Sequence, residues 1–187
     1  MHLINFSSHD PAEQLACDEA LLAMAEEGLT GESLRIYEVS QPTVVLGIQD
    51  EHRRAIFRKQ CRKDGVRILR RRSGGGTVLL AEGCLIYSVI FRRDRSHLGS
   101  VRGSYRWILG EICGEISRGD VSVEVTGTSD LAWDGSKVGG SSQQRKRGHI
   151  LHHGTLLYGM RTELMERYLA DFREPPPYRR GRSHRDF

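Results

Sequence analysis

The chain reads as an α+β protein with a mixed, mostly antiparallel sheet flanked by helices. Apolar strand patterns arrive in hairpin-like clusters, a few well-marked helices interrupt them, and Asp134-Gly135 supplies a two-residue hairpin signal between two short strands. The 187 residues, 38% hydrophobic and 28% charged, fit one globular domain with a substantial core. No internal repeat or low-complexity tract is present; the 21 glycines fall at turns and in two particular segments.

Leu3–Phe6 patterns as a short strand. Asp10-Pro11-Ala12-Glu13 opens a helix, with Asp10 as N-cap, Pro11 in the first position and Glu13 completing a capping box. Ala12, Leu15, Ala16, Leu22 and Ala23 carry its period toward Gly28. Ser33–Val39 and Thr43–Ile48 are predicted strands joined at Gln41-Pro42. Glu51–Lys63 is a predicted helix that Asp64-Gly65 ends. Val66–Leu69 is the strand that delivers a run of arginines and glycines. Leu85–Phe91 is continuously apolar and rich in β-branched residues, hence a buried strand. Trp107, Ile108, Ile112 and Ile116 recur at helical spacing over Tyr105–Ile116. Val121–Val125 alternates, Leu131–Trp133 and Lys137-Val138 flank the Asp-Gly turn, Ile150–Tyr158 is a strand and Thr162–Ala170 a helix. These elements place one domain over 1–172. Residues 173–187, with Pro175-Pro176-Pro177 and several arginines, are predicted to be an extended tail or connector.

A net charge of +4 and a pI near 9.0 invite a nucleic-acid reading. The arginines, however, are spread from Arg35 to Arg185, without an aromatic-interleaved stripe or a nucleic-acid motif. An anionic ligand or an acidic protein partner accounts for the charge better. Cys17, Cys61, Cys84 and Cys113 show no CxxC spacing, and the start, Met1-His2-Leu3-Ile4-Asn5-Phe6, has no secretory pattern. No apolar run reaches membrane-spanning length. The expectation is a cytoplasmic protein with reduced thiols and neither a membrane nor a nucleic-acid partner.

Two segments carry the chemistry. In Arg70-Arg71-Arg72-Ser73-Gly74-Gly75-Gly76-Thr77-Val78, bare glycines let a ligand approach the backbone, and the arginines supply positive charge for a phosphate. The loop fits neither the P-loop nor the dinucleotide fingerprint, and three glycines alone also describe a plain turn. In Ser129-Asp130-Leu131-Ala132-Trp133-Asp134-Gly135-Ser136-Lys137-Val138-Gly139-Gly140, one lysine stands among small residues with Asp130 as a possible counter-charge. A solvated hairpin lysine is the plainer reading; an ammonium that neutralises developing charge is the chemical one. His149, His152 and His153 suggest metal, but on a strand His152 and His153 point to opposite faces and no partner ligand lies at metal spacing, so no metal site is assigned to them.

Taken together, Arg70-Arg71-x-Ser73-Gly74-Gly75-Gly76-Thr77-Val78, Gly83-x-Leu85-x-Tyr87-Ser88, Ser129-Asp130-Leu131, Gly135-x-Lys137-Val138-x-Gly140-Ser141-x-Gln143 and His153-Gly154-Thr155-Leu156-Leu157 resemble the lipoate–protein ligase A family, within the biotin/lipoate ligase and octanoyltransferase superfamily. The resemblance implies a fold like the biotin-ligase catalytic domain. It also implies a two-step reaction: lipoate attacks the α-phosphate of ATP, and the lipoyl group then passes from the adenylate to a lysine of a lipoyl domain. Matched by motif, Arg70, Ser73, Gly74, Gly75, Gly76, Thr77 and Val78 would hold the adenylate. Lys137, the catalytic candidate, would contact carboxyl and phosphate beside Gly140. Asp130 would sit near the phosphate, with Mg²⁺ as the implied ion. His153 and Gly154 would line the acyl tunnel.

The chain departs from the family pattern in three places. It has Leu80-Ala81 where many members carry His-Asp, and Ser129 where many have Asn. It stops at Phe187, without the small C-terminal domain of many ligases, which implies an accessory subunit or domain. Related octanoyltransferases place a cysteine nucleophile shortly before the position of Asp130; here Val125-Thr126-Gly127-Thr128 contains none, which favours the ligase branch. The expected activity is thus an ATP-dependent lipoate–protein ligase. The alternatives are a lipoyl or octanoyl transferase that needs no ATP, a biotin ligase, which the glycine-loop pattern disfavours, and a non-catalytic relative that binds a nucleotide or lipoyl domain.

Overall fold

A computed structural model describes residues 1–6, 8–49, 55–119, 121–170 and 177–183. The strands are β1 (His2–Leu3), β2 (Ser33–Tyr37), β3 (Thr43–Leu46), β4 (Arg67–Arg70), β5 (Val78–Leu80), β6 (Cys84–Arg92), β7 (Val123–Thr126), β8 (Asp130–Trp133), β9 (Ser136–Arg145) and β10 (His149–Leu157). The helices are α1 (Pro11–Glu26), α2 (Arg58–Lys63), α3 (Ser96–Gly99), α4 (Val101–Ile116) and α5 (Glu163–Tyr168). A larger sheet runs β1-β2-β6-β10-β9-β8-β7, and a smaller one β4-β3-β5. Only the β1–β2 and β3–β4 pairs are parallel among the described strands. The α+β class and the mixed, mostly antiparallel pairing are as expected. The two strands on either side of Gln41-Pro42, however, enter different sheets.

Alternation along β6 assigns the faces of the larger sheet. Val89 and Phe91 pack with Leu98, Ile108 and Ile150 under α4, while Ile90 packs with Leu22, Ala25 and Leu151 under α1. α1 opens as the sequence expects: Asp10 caps it by accepting from the Ala12 N–H at 2.7 Å, with Pro11 in the first turn. The capping box does not form, because Ser8 intervenes. Its hydroxyl takes the Asp10 N–H at 3.0 Å and donates to Glu13 at 2.5 Å. Of the predicted 51–63 helix, Arg58–Lys63 is helical and Ile56 forms a bridge to Leu169, while residues 51–54 lie outside the described part.

The buried stripe of α1 is Pro11, Gln14, Asp18, Leu22 and Ala25, so its first half is polar. Those polar groups meet Arg35 of β2, which is 1% exposed. Its guanidinium donates to Asp18 Oδ1, to Gln14 Oε1 and, at 3.0 Å, to the Gln14 carbonyl, and it lies 4.2 Å from the Tyr37 ring centroid. Ser88 (2.5 Å) and Tyr37 (3.3 Å) donate to the other carboxylate oxygen. Deleting one member of such a pair leaves a buried charge without its partner. Arg35→Met is expected to lower unfolding free energy by about 3–5 kcal/mol in denaturant titrations. The double variant Arg35→Met/Asp18→Leu is expected to lose less than the sum of the single changes.

His152, on the α4 face of β10, is fully enclosed. Gln143 Nε2 donates to its Nδ1 at 3.0 Å, and its ring stacks on Tyr87 with centroids 6.0 Å apart. Burial, with a smaller effect of His153, pushes its pKa down to about 3 from 6.5. The unfolded chain therefore binds this proton first as pH falls, and the stability that the neutral ring contributes above pH 6.5 is lost between 6.5 and 3. Denaturant titrations from neutral to acid pH should show His152→Gln flattening that limb by up to about 1.4 kcal/mol per pH unit.

Candidate functional site

A polar row crosses the α1 face of the larger sheet. Arg35 pairs with Ser88, Ser88 with His153, and His153 with Ser142, each on the next strand. Directly opposed residues share a face, so these four side chains line up under α1. At the far end of the row the glycine loop between β4 and β5 is fastened. Ser142 donates to the Gly74 carbonyl at 2.8 Å, and Ser73 Oγ lies 2.6 Å from His153 Nε2. Arg71 Nε also donates to Ser73 Oγ at 2.9 Å. The other ring nitrogen of His153, Nδ1, faces Asp18 Oδ2 at 3.9 Å.

The three arginines divide their work, and each has a protein partner. Arg71, nearly buried, donates through Nη2 to the carbonyls of Gly74 (2.6 Å) and Gly76 (2.8 Å), so it braces the loop from within. Arg70 donates to the carbonyls of Gly47 and Ile48 at the end of β3. Arg72, exposed, reaches Glu19 at 3.4 Å. The sequence reading gave this charge to a phosphate. A run of glycines contributes no side chains to satisfy its own carbonyls, and arginine forks supply the missing donors. The loop also lies against bare backbone, since a Cβ on Gly47 would stand 1.9 Å from the Gly75 carbonyl oxygen. Gly75 has φ +80°, whereas around Gly74 and Gly76 a Cβ would meet nothing within 4 Å. Thr77 leads into β5, where Val78 packs against the core and pairs with Val45 of β3.

The second segment is the predicted hairpin. Asp134 (φ 49°) and Gly135 (φ 71°) make the two-residue turn, and a bulge follows as Leu131 pairs with Gly139 but Ala132 with Lys137. The bulge turns Lys137 back along its own strand. Its Nζ lies 2.9 Å from Asp130 Oδ2 and 3.3 Å from where a Cβ on Gly140 would be. Gly140 and Ser142 share a face of β9, roughly 6.6 Å apart along the strand. The lysine and the glycine loop are thus brought to one face of one strand, and the lysine side chain is 29% exposed.

His153 and Gly154, both expected along an acyl tunnel, are neighbours on β10 that face opposite sides of the sheet. His153 meets Ser73, while a Cβ on Gly154 would lie 2.4 Å from the Tyr87 hydroxyl on the α4 face. One expectation is corrected: the 177–183 part of the tail is not extended, since Pro177–Arg179 is a 3-10 turn and Tyr178 donates to Asp130. Asp130, which the resemblance places near Mg²⁺, accepts from Lys137 and from Tyr178. No group of three or more His, Cys, Asp or Glu suited to a metal occurs among the described residues. Sequence reasoning missed Asp18, Gly47, Ser142 and Tyr178. Only Ser142, inside a quoted motif, carried a local signal.

The comparisons follow this geometry. Residues 10–183 match the model of the lipoyl protein ligase A/B catalytic domain. An octanoyltransferase LipM of Carboxydothermus hydrogenoformans is 34% identical over 89% of this chain and 68% of its own. A second LipM, of Moorella thermoacetica, is 29% identical over 83% of this chain and 64% of its own. The lipoate-protein ligase LplJ of Bacillus subtilis is 27% identical over 82% and 44%. The chain therefore spans about two thirds of the length of the two octanoyltransferases and less than half of the ligase. A bi-partite lipoate protein ligase of Thermoplasma acidophilum superposes with a TM-score of 0.80 at 19% identity, over 96% of this chain and 69% of that one, a likeness of fold alone. With the family model running from the α1 cap to the turn that meets Asp130, this chain belongs to the lipoyl protein ligase A/B catalytic-domain family.

Proposed function

We propose that the chain is the catalytic domain of an acyltransferase of protein lipoylation. It passes an octanoyl or lipoyl group, activated beforehand as a carrier-bound thioester, to the ε-amine of a lysine in a lipoyl domain. The observation that carries this reading is the likeness to octanoyltransferases along most of the chain, 34% identity over 89% of it in one case. In the reaction the acceptor amine attacks the thioester carbonyl, the C–N bond forms, the C–S bond breaks, and the amine's proton leaves with the carrier thiolate. Charge gathers on the carbonyl oxygen meanwhile, and the Lys137 ammonium and the backbone N–H groups of Ser73–Thr77 are the donors that could meet it.

Transfer here is direct, without an acyl-enzyme on cysteine. Cys84 is fully enclosed and burial pushes its thiol up to about 12, while burial also raises Cys17, Cys61 and Cys113. None of the four stands in the glycine loop or the hairpin, and a raised thiol is a poor nucleophile. The same fact, with the likeness to LplJ, supports a second reading, ATP-dependent ligation. There the lipoate carboxylate displaces pyrophosphate from ATP, and the acceptor amine then displaces AMP. Lys137 faces an anion in both reactions.

Intact-mass measurement of a lipoyl domain tests the choice. Octanoylation from an octanoyl carrier protein without ATP is expected; modification only with ATP and free acid would put ligation in its place. Neither would leave a non-catalytic relative. Lys137→Ala is expected to slow acyl transfer by about 10²–10³, with an unchanged melting temperature. The glycines should separate. Gly76→Val, placed in open space, should keep stability and raise KM for the acyl donor. Gly75→Val, forced to positive φ and set 3.2 Å from Arg71 Nη2 at its Cβ, should also lose about 1–2 kcal/mol of stability.

A further inference from the structure

The turn at 177–183 is built to stay closed. Arg179 Nε donates to the Arg182 carbonyl at 2.6 Å, and Arg182 Nε donates to the Arg179 carbonyl at 3.1 Å. The turn lies along β8 and touches both of its ends. Before the strand, the Tyr178 ring comes within 3.7 Å of the Cβ position at Gly127; after it, Arg182 Nη2 donates to the Gly135 carbonyl at 2.8 Å. Between these anchors the Tyr178 hydroxyl donates to Asp130 Oδ2, the oxygen that also takes Lys137 Nζ at 2.9 Å.

We propose that Tyr178 is a positioning residue for Lys137: by donating to the oxygen that the lysine shares, it fixes Asp130 and leaves the ion pair loose enough for the ammonium to turn toward an anion. This rests on the role given to Lys137 above. A carboxylate oxygen that already accepts from a neutral phenol presents less charge to a second donor. Burial, then the bond to Asp130, push the phenol above the usual tyrosine range, so it stays protonated and remains a donor. Without that donor, Oδ2 belongs to Lys137 alone and the pair tightens. Ser129, 3.4 Å from the other carboxylate oxygen, is no substitute.

Tyr178→Phe deletes one O–H and keeps the ring against Gly127. The first readout needs no lipoylation substrate: the rate at which a small N-hydroxysuccinimide ester acylates Lys137 at one fixed pH, followed by peptide mass spectrometry. Labelling of Lys137 is expected to slow by about three- to tenfold, the net size of one ordinary hydrogen bond, while Lys59, Lys63 and Lys146 label as before. Tyr178→Gln, which retains a donor, should restore the rate. In transfer assays kcat should fall by a similar factor with KM for the acyl donor unchanged. Equal Lys137 labelling in wild type and Tyr178→Phe, or a parallel change at all four lysines, would overturn the proposal. A selective change at Lys137 in a protein that transfers no acyl group would sink the transferase reading and leave the positioning role standing.

Discussion

A guanidinium enclosed in an apolar sheet has to be neutralised where it stands, and Arg35 imposes that requirement on half of this molecule. Asp18 answers its charge and Gln14 takes further bonds from both terminal nitrogens, leaving only Nε without a partner, so α1 must present a polar face where an ordinary amphipathic helix presents leucines. Asp18 in turn requires its other oxygen to be satisfied, which Ser88 and Tyr37 do. With helix and sheet fixed by these bonds, His153 faces Asp18 on one side and Ser73 on the other. Networks of this kind couple their members, because each buried polar atom left over is expensive. The glycine loop is therefore held through a chain of groups that begins at the opposite side of the sheet.

That chain explains how glycines can form a defined site. Unconstrained, Ser73–Thr77 would sample many backbone states, and ordering it on ligand binding would weaken binding. Arg71 ties two of its carbonyls, Ser142 a third contact, and the Ser73 amide plane is fixed where its carbonyl accepts the Ile48 N–H at 3.0 Å. Gly47 is needed beneath the loop for the same reason that glycines are needed within it: two backbones meet there without room for a side chain. What stays open is the space around Gly74 and Gly76, on a loop whose position is already set.

Local signals carried much of this into the sequence. The α1 cap, the Asp134-Gly135 turn and the apolar run of β6 are short-range features, and each appears close to where its residues placed it. The paired motifs also identified the loop and the lysine that β9 brings together. Long-range partners were not legible. The polar stripe of α1 looks like poor amphipathicity until Arg35, 17 residues on from Asp18, is opposite it. Arg70 and Arg71 read as free positive charge because carbonyl orientation is invisible in a sequence. Ser8 displaced the expected capping box by offering the Asp10 N–H a nearer acceptor. Tyr178 contacts Asp130 across 48 residues, which no spacing rule anticipates.

An acyl-enzyme divides transfer into two steps and lets the first carrier depart before the second arrives. In the direct transfer proposed above, the acyl donor and the acceptor lysine are bound together, and the site's contribution shifts from nucleophilicity to alignment and charge compensation. Both are properties of a rigid loop beside a single adjustable cation. The glycine loop is fixed by its buried network, whereas Lys137 is held by one carboxylate at a partly exposed position. A fixed frame and one movable charge suit a carbonyl whose oxygen becomes negative only during reaction. They suit a phosphate equally well, so the geometry is compatible with both proposed readings.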